Sequence, residues 1–112
     1  MNDLTTKQCK PCDGSIAPLT LAEAQALMKQ LDGGWKLAAD GKSIQREWKF
    51  KNFYRTMSFV NAAAHVANTE DHHPDLEVGY GYCRLKYNTH TIGGLSENDF
   101  ICAAKTDALG QQ

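Results

Sequence analysis

Nothing in this sequence approaches the run of about 18 apolar residues that a membrane-crossing helix requires. The first fifteen residues carry Asp3, Lys7, Lys10 and Asp13 and lack the apolar stretch of a secretory signal. The expected location is therefore the cytoplasm, with no membrane partner. An excess of one charge is missing too: 12 Lys and Arg against 13 Asp and Glu leave a net charge of -1. The basic residues are scattered, so there is no basic face to bind nucleic acid directly. Proline is scarce, and two of the three, Pro11 and Pro18, fall within the first 18 residues. Four cysteines, Cys9, Cys12, Cys83 and Cys102, are enough for two bridges, but without a secretory signal they are expected as reduced thiols. No internal repeat points to a solenoid.

What remains is ordinary globular composition: 42% hydrophobic and 22% charged residues give no case for disorder or a coiled coil. A chain of 112 residues suits one domain and one core. Residues 1–18 show no period and are expected as a flexible lead-in to a single domain over 19–112. Thr20 with Glu23 has the form of a capping box, and Leu21, Ala24, Leu27, Met28 and Leu31 recur at helical spacing. A helix over 20–32 is predicted, stopped by Gly33 and Gly34. Trp35, Leu37, Ile44, Trp48 and Phe50 keep a two-residue period around Asp40-Gly41, with Arg46 as the exception, which predicts a hairpin. Phe53, Met57, Val60, Ala64 and Ala67 then form one stripe of a long helix. A second hairpin follows from Leu76, Val78, Tyr80 and Tyr82, shifted near Gly79 and Gly81 to Cys83, Leu85, Tyr87 and Thr89. Ser96 with Asp99 opens a last helix. The order α-β-β-α-β-β-α predicts an α+β fold of two layers: a four-stranded antiparallel sheet with the helices packed on one face. The other face is left open for a site or a subunit contact.

The densest titratable cluster is Glu70-Asp71-His72-His73-Pro74-Asp75, at the expected junction of the long helix and the third strand. Pro74 restricts His73 to extended backbone, so the two imidazoles should point in different directions. Imidazole titrates closest to neutrality, and a second ring beside it penalises double protonation, so the pair can supply one acid and one base. His90, at the end of the fourth strand, shares its parity with Arg84, Lys86 and Asn88 and avoids the core face. Spacing alone reads all three histidines equally well as solvated side chains near element ends. It disfavours a metal, because adjacent histidines seldom aim both rings at one ion, and Cys9-Lys10-Pro11-Cys12 has no second half-site. Asp99 reads as a helix cap in preference to a catalyst, and His65 lies with Ser58, Asn61 and Thr69 on a solvated helix face. Tyr80, Tyr82 and Tyr87 suit sheet packing, with one exposed ring available to stack on a flat heterocycle.

The His72-His73-Pro74 run, Tyr80 six residues after the proline, His90 ten further and Asp99 nine beyond that resemble the signature of the pterin-4a-carbinolamine dehydratase family. The resemblance covers about residues 19–108, including Trp35, Phe50-Lys51-Asn52-Phe53, Thr89-His90 and Gly94-Leu95-Ser96. It implies the same antiparallel sheet with helices on one side. It also implies dehydration of 4a-hydroxytetrahydropterin to quinonoid dihydropterin by His72, His73 and His90 as catalytic residues, with these three and Asp71 binding the substrate. No metal or organic cofactor is implied. The implied partners are the pterin itself, an aromatic amino acid hydroxylase that produces the carbinolamine, and a second copy of the chain in a homodimer or homotetramer. Some relatives serve instead as non-catalytic interaction or assembly modules on the same scaffold. Two positions depart from the pattern: Asn68 stands where a charged residue is frequent, and Leu76 where some members have tryptophan.

Overall fold

Thr20 opens the first helix in the computed structural model, which describes residues 3–11 and 14–109. Its hydroxyl accepts the Glu23 N–H at 3.1 Å while the Glu23 carboxylate accepts the Thr20 N–H at 2.8 Å, and α1 runs Leu21–Met28. The helix is shorter than its apolar spacing predicts. Lys29, Gln30 and Leu31 each donate three residues back instead of four, a tightening that ends the helix and turns Leu31 into the core.

The first hairpin pairs β1 (Lys36–Leu37) with β2 (Ile44–Lys49), Leu37 facing Ile44. Gly41 takes a φ of 71° in its turn, a conformation with little cost only for a residue lacking Cβ. Helix α2 (Phe53–Glu70) begins where the Asn52 side chain accepts the Arg55 N–H. The second hairpin joins β3 (Asp75–Val78) to β4 (Tyr82–Tyr87). At Gly79 a Cβ would lie 2.2 Å from the Tyr82 ring, so any larger residue would require that ring to shift. A 3₁₀ turn over His90–Ile92 and a second capping box at Ser96 lead into α3 (Glu97–Asp107).

The sheet order is β1-β2-β4-β3, antiparallel throughout, and the predicted α+β class and element order hold. Ile44, Trp48, Cys83, Leu85 and Tyr87 are buried on the inner face against Phe59 and Ala63 of α2 and Phe100, Ala103 and Ala104 of α3. Arg46, the polar exception on that face, donates to Asp107 at 2.6 Å, and Trp35 Nε1 donates to the same carboxylate at 2.8 Å. A buried ion pair thus replaces a hydrophobic contact. The outer face carries Arg84 bonded to Glu47 and Glu77, with Lys49 on Glu47.

Two expectations differ from the structure. The buried side of α2 is Thr56, Phe59, Ala63 and Ala67, rotated from the predicted stripe, and Phe53 is 48% exposed. Thr56 can be buried because its hydroxyl donates to the Asn52 and Tyr80 carbonyls, a satisfaction that hydropathy cannot register. The lead-in is also partly packed: Leu4, in a 3₁₀ turn over Asp3–Thr6, is buried in the core cluster. Cys12 lies outside the described residues. Among the described residues no helix is long and apolar enough to cross a membrane.

The packed N-terminal segment is tied to α2 through Glu70, which accepts from Lys105 Nζ at 2.8 Å and from the Cys9 N–H at 2.9 Å. Lys105 first, and then Cys9, holds the Glu70 carboxyl below its ordinary 4.5. Because the folded value is the lower one, this contribution to stability is complete above about pH 4.5 and disappears as pH falls through the folded value. The stability gap between wild type and Glu70→Gln is expected to be wider at pH 7 than at pH 3 in urea titrations. A gap that stays constant across that range contradicts the assignment.

Candidate active site

Helix α2 ends in a left-handed residue. Asp71 has φ 52° and ψ 43°, its N–H donating to Asn68 and the next, from His72, to Ala67. These are the paired bonds of a Schellman motif, with aspartate where glycine is the usual occupant. The reversal turns the chain off the helix axis, and Pro74 then holds His73 extended into β3. The two imidazoles diverge as the sequence predicts. His72 turns inward, its side chain 13% exposed, and its Nε2 lies 2.6 Å from Asp99 Oδ1 at the start of α3. His73 stays exposed, its Nε2 3.0 Å from Asn68 Oδ1 one turn back on α2.

Asp99 is fully buried. Its Oδ2 accepts the Thr89 hydroxyl at 2.8 Å and the Ser96 N–H at 2.9 Å, and Thr89 also meets the Ser96 hydroxyl at 2.8 Å. Asp99 can accept a hydrogen bond from His72 Nε2, which leaves Nδ1 as the ring nitrogen turned away from the carboxylate. The ring is held flat against Tyr87, 6.0 Å between centroids and 7° between planes. Burial pushes the Tyr87 phenol above its ordinary range, so it stays neutral. The Asn68 oxygen likewise can accept a hydrogen bond from His73 Nε2, which turns His73 Nδ1 away from Asn68.

Beyond β4 the chain passes through Asn88 and Thr89 to His90, which is exposed at the head of the 3₁₀ turn and not on the strand. A cavity of about 470 Å³ opens between these elements, a size suited to a small-molecule ligand. All four residues singled out from the sequence, Asp71, His72, His73 and His90, line it, as do Glu70, Asn88 and Thr89. The site therefore sits at the end of the sheet, between the exit of α2 and the entry of α3. His65 takes no part; it is exposed and faces Thr69 at 3.5 Å.

Sequence reasoning missed two contributors. Asp99 caps α3 as expected, but its second oxygen also holds His72. The family signature includes Asp99, but the capping pattern accounts for the residue locally and gives no sign of the contact with His72. The other is the N-terminal segment: Cys9, Lys10 and Pro11 form one wall. Asn98 clasps Lys10 from both sides, its Oδ1 accepting the Lys10 N–H at 3.0 Å and its Nδ2 donating to the Lys10 carbonyl at 2.7 Å. Leu4, isolated in a polar stretch, was the only available signal.

The model of the family described as pterin 4 alpha carbinolamine dehydratase matches residues 17–109. The chain belongs to this family. Among relatives of the dehydratase family, a Nitrosomonas europaea protein is 62% identical over 96% of this chain and 93% of its own length. One from Legionella pneumophila strain Corby is 52% identical over 96% of each. Both carry provisional names as pterin-4-alpha-carbinolamine dehydratases. A Brucella melitensis crystal structure named transcriptional coactivator/pterin dehydratase superposes with a TM-score of 0.77 at 33% identity, over 82% of this chain and 97% of that one. A pterin dehydratase-like protein identified as a RuBisCO assembly factor in the alpha-carboxysome shares the fold, at a TM-score of 0.59 and 22% identity over 68% of this chain and 88% of its own.

The left-handed Asp71 has a measurable cost. Asp71→Gly is expected to leave stability within about 0.5 kcal/mol of wild type, whereas Asp71→Val should lose about 1–2 kcal/mol, because a β-branched residue tolerates positive φ poorly. Urea midpoints at unchanged slope measure this, and equal losses for both variants would show that the side chain matters and not the backbone.

Proposed function

We propose that the chain dehydrates 4a-hydroxytetrahydropterin to the quinonoid dihydropterin by acid-base catalysis at His72, His73 and His90. What carries the reading is the convergence of three imidazoles on one cavity in a chain of the dehydratase family. The C4a–O bond breaks when an acid protonates the departing hydroxyl, which leaves as water, while a base takes a proton from the ring nitrogen that supplies the electron pair. His73, exposed beside the cavity and held by Asn68 through Nε2, is the group proposed to act on the hydroxyl. His72, oriented by Asp99, and His90 serve the remaining proton transfer, and Asp71 joins the three histidines in binding the ring.

The catalytic unit is proposed as residues 19–112, with the preceding segment completing one wall. Neither metal nor organic cofactor enters the balance of the reaction. The carbinolamine is proposed to come from an aromatic amino acid hydroxylase in the cytoplasm. Assembly into a homodimer or homotetramer is supported by the edge strand β3, whose Leu76 and Val78 are 43% and 39% exposed.

The decisive experiment follows loss of chemically generated 4a-carbinolamine by absorbance, with and without the protein. Acceleration proportional to protein concentration is expected, and a rate no greater than the uncatalysed one sinks the proposal. The double name of the Brucella protein motivates one other reading, an interaction module. A stoichiometric partner combined with absent dehydration would favour it.

Asn68 offers a finer test. Asn68 meets His73 with a neutral amide, whereas a carboxylate at that position would favour the imidazolium. Asn68→Asp is expected to move the acid-to-base transition of the pH–rate profile upward by roughly 0.5–1 pH unit. An unmoved profile would place His73 outside the rate-determining proton transfer.

A further inference from the structure

The geometry points to Cys9 and Cys102 as a thiol pair that a hydroperoxide converts into an intrachain disulfide, fastening the N-terminal segment to α3 beside the cavity. Their sulfurs lie 3.6 Å apart although 93 positions separate them in the chain. They also differ in setting. Cys9 is half-buried on coil and lines the cavity; Cys102 is buried in α3, its thiol directed toward the His72 carbonyl at 3.8 Å. Cys83 is the contrast: buried beneath the sheet, its thiol pushed up to about 11 by that burial, it lacks access to solvent oxidant.

Closing the bond requires the sulfurs to approach to about 2.05 Å. Cys102 is fixed by its helix, so Cys9 must move. The segment that carries Cys9 is held by hydrogen bonds to Glu70 and Asn98 and by Leu4 in the core, contacts that allow a displacement of this size without unfolding a helix or strand.

The two settings also order the chemistry. Cys9, reachable from the cavity, attacks one peroxide oxygen: an S–O bond forms, the O–O bond breaks, and the products are a Cys9 sulfenic acid and one water from hydrogen peroxide, or one alcohol from an organic hydroperoxide. Cys102 then attacks the Cys9 sulfur, the S–S bond forms, and the S–O oxygen departs with the Cys102 proton as water. Two thiols lose two electrons, and the hydroperoxide gains them. Before oxidation the hydrogen bond to Cys9, with burial second, holds the Cys102 thiol well above the ordinary range. Cys102, buried away from the cavity, meets the oxidant only through Cys9 and so serves as the resolving partner.

The bond would close a loop of more than 90 residues, the class of cross-link that restricts an unfolded chain most. It would also convert a cavity wall held by hydrogen bonds into one held covalently. A pterin-independent function for the site would leave the pair unchanged, since none of its chemistry involves the histidine rings.

The test uses the full chain and its Cys12→Ser variant, which removes the competing neighbour three residues along. After treatment with hydrogen peroxide and denaturation, the variant is expected to fall from three titratable thiols to one. Its non-reduced digest should yield a peptide linking Cys9 to Cys102, and its melting temperature should rise by roughly 5 °C or more until a reductant is added. Adding Cys102→Ser should abolish the linked peptide and leave a Cys9 sulfenic acid that dimedone traps. Three thiols surviving in Cys12→Ser, or a Cys9–Cys12 bridge as the product in the wild-type chain, would overturn the inference.

Discussion

Replacing Asp99 by alanine is expected to lower the unfolding free energy by about 3–5 kcal/mol, the range found when one partner is removed from a buried charged network. The carboxylate has no exposure and accepts from His72, Thr89 and the Ser96 N–H. Alanine leaves three donors without the acceptor they share, and it removes the reciprocal half of the capping box. Asp99→Asn separates the structural from the chemical contribution. It fills the same volume but brings an NH₂ toward donors, so a smaller stability loss is expected with a loss of dehydration of roughly 10²-fold, because His72 loses the partner that fixes its proton on Nε2. Urea unfolding and the carbinolamine assay read the two effects independently. If Asp99→Asn keeps full turnover, Asp99 is a cap alone.

His73→Ala should produce the reverse profile. The ring is exposed and bonded only to Asn68 among the hydrogen bonds described, so removing it should change stability by less than about 1 kcal/mol. The rate of carbinolamine dehydration is expected to fall by roughly 10²–10⁴-fold, the range for a lost general acid. The loss should be confined to kcat if His73 acts in the transition state and should appear in KM if it only binds the ring. Wild-type turnover in this variant would remove His73 from the mechanism. The opposed profiles of Asp99 and His73, one costly to the fold and one not, follow from burial, although both residues are assigned to the same proposed proton transfer.

The elements were legible in the sequence because their boundary signals are local. Two capping boxes, a glycine turn and the proline after His73 each act within four residues and need no tertiary context. The α2 face was misjudged by about one position because Thr56 is buried on the strength of two carbonyls, one of them across the second hairpin. Asp71, His72, His73 and His90, the first three singled out by their density and His90 by strand parity and the family signature, all line one cavity. The remainder of the site is tertiary in origin. Asp99 reaches His72 across 27 residues and Asn98 reaches Lys10 across 88, and neither pairing leaves a periodic trace. The same distance hides Arg46, which looks like an error in a core pattern until Asp107 meets it.

The strand order has a kinetic corollary. The central pair, β2 and β4, has its widest register at Ile44 with Tyr87, and the whole of α2 lies between them. Bringing such distant segments together means closing a long loop before any ladder bond repays the entropy. Hairpins and α2 can form early, but β4 carries the chain to Thr89 and His90, and α3 brings Asp99 to His72 only once that strand has docked. The cavity should thus be among the last features to form during refolding. A fluorescent pterin analogue should gain signal in step with the slowest folding phase, after far-UV ellipticity has largely recovered.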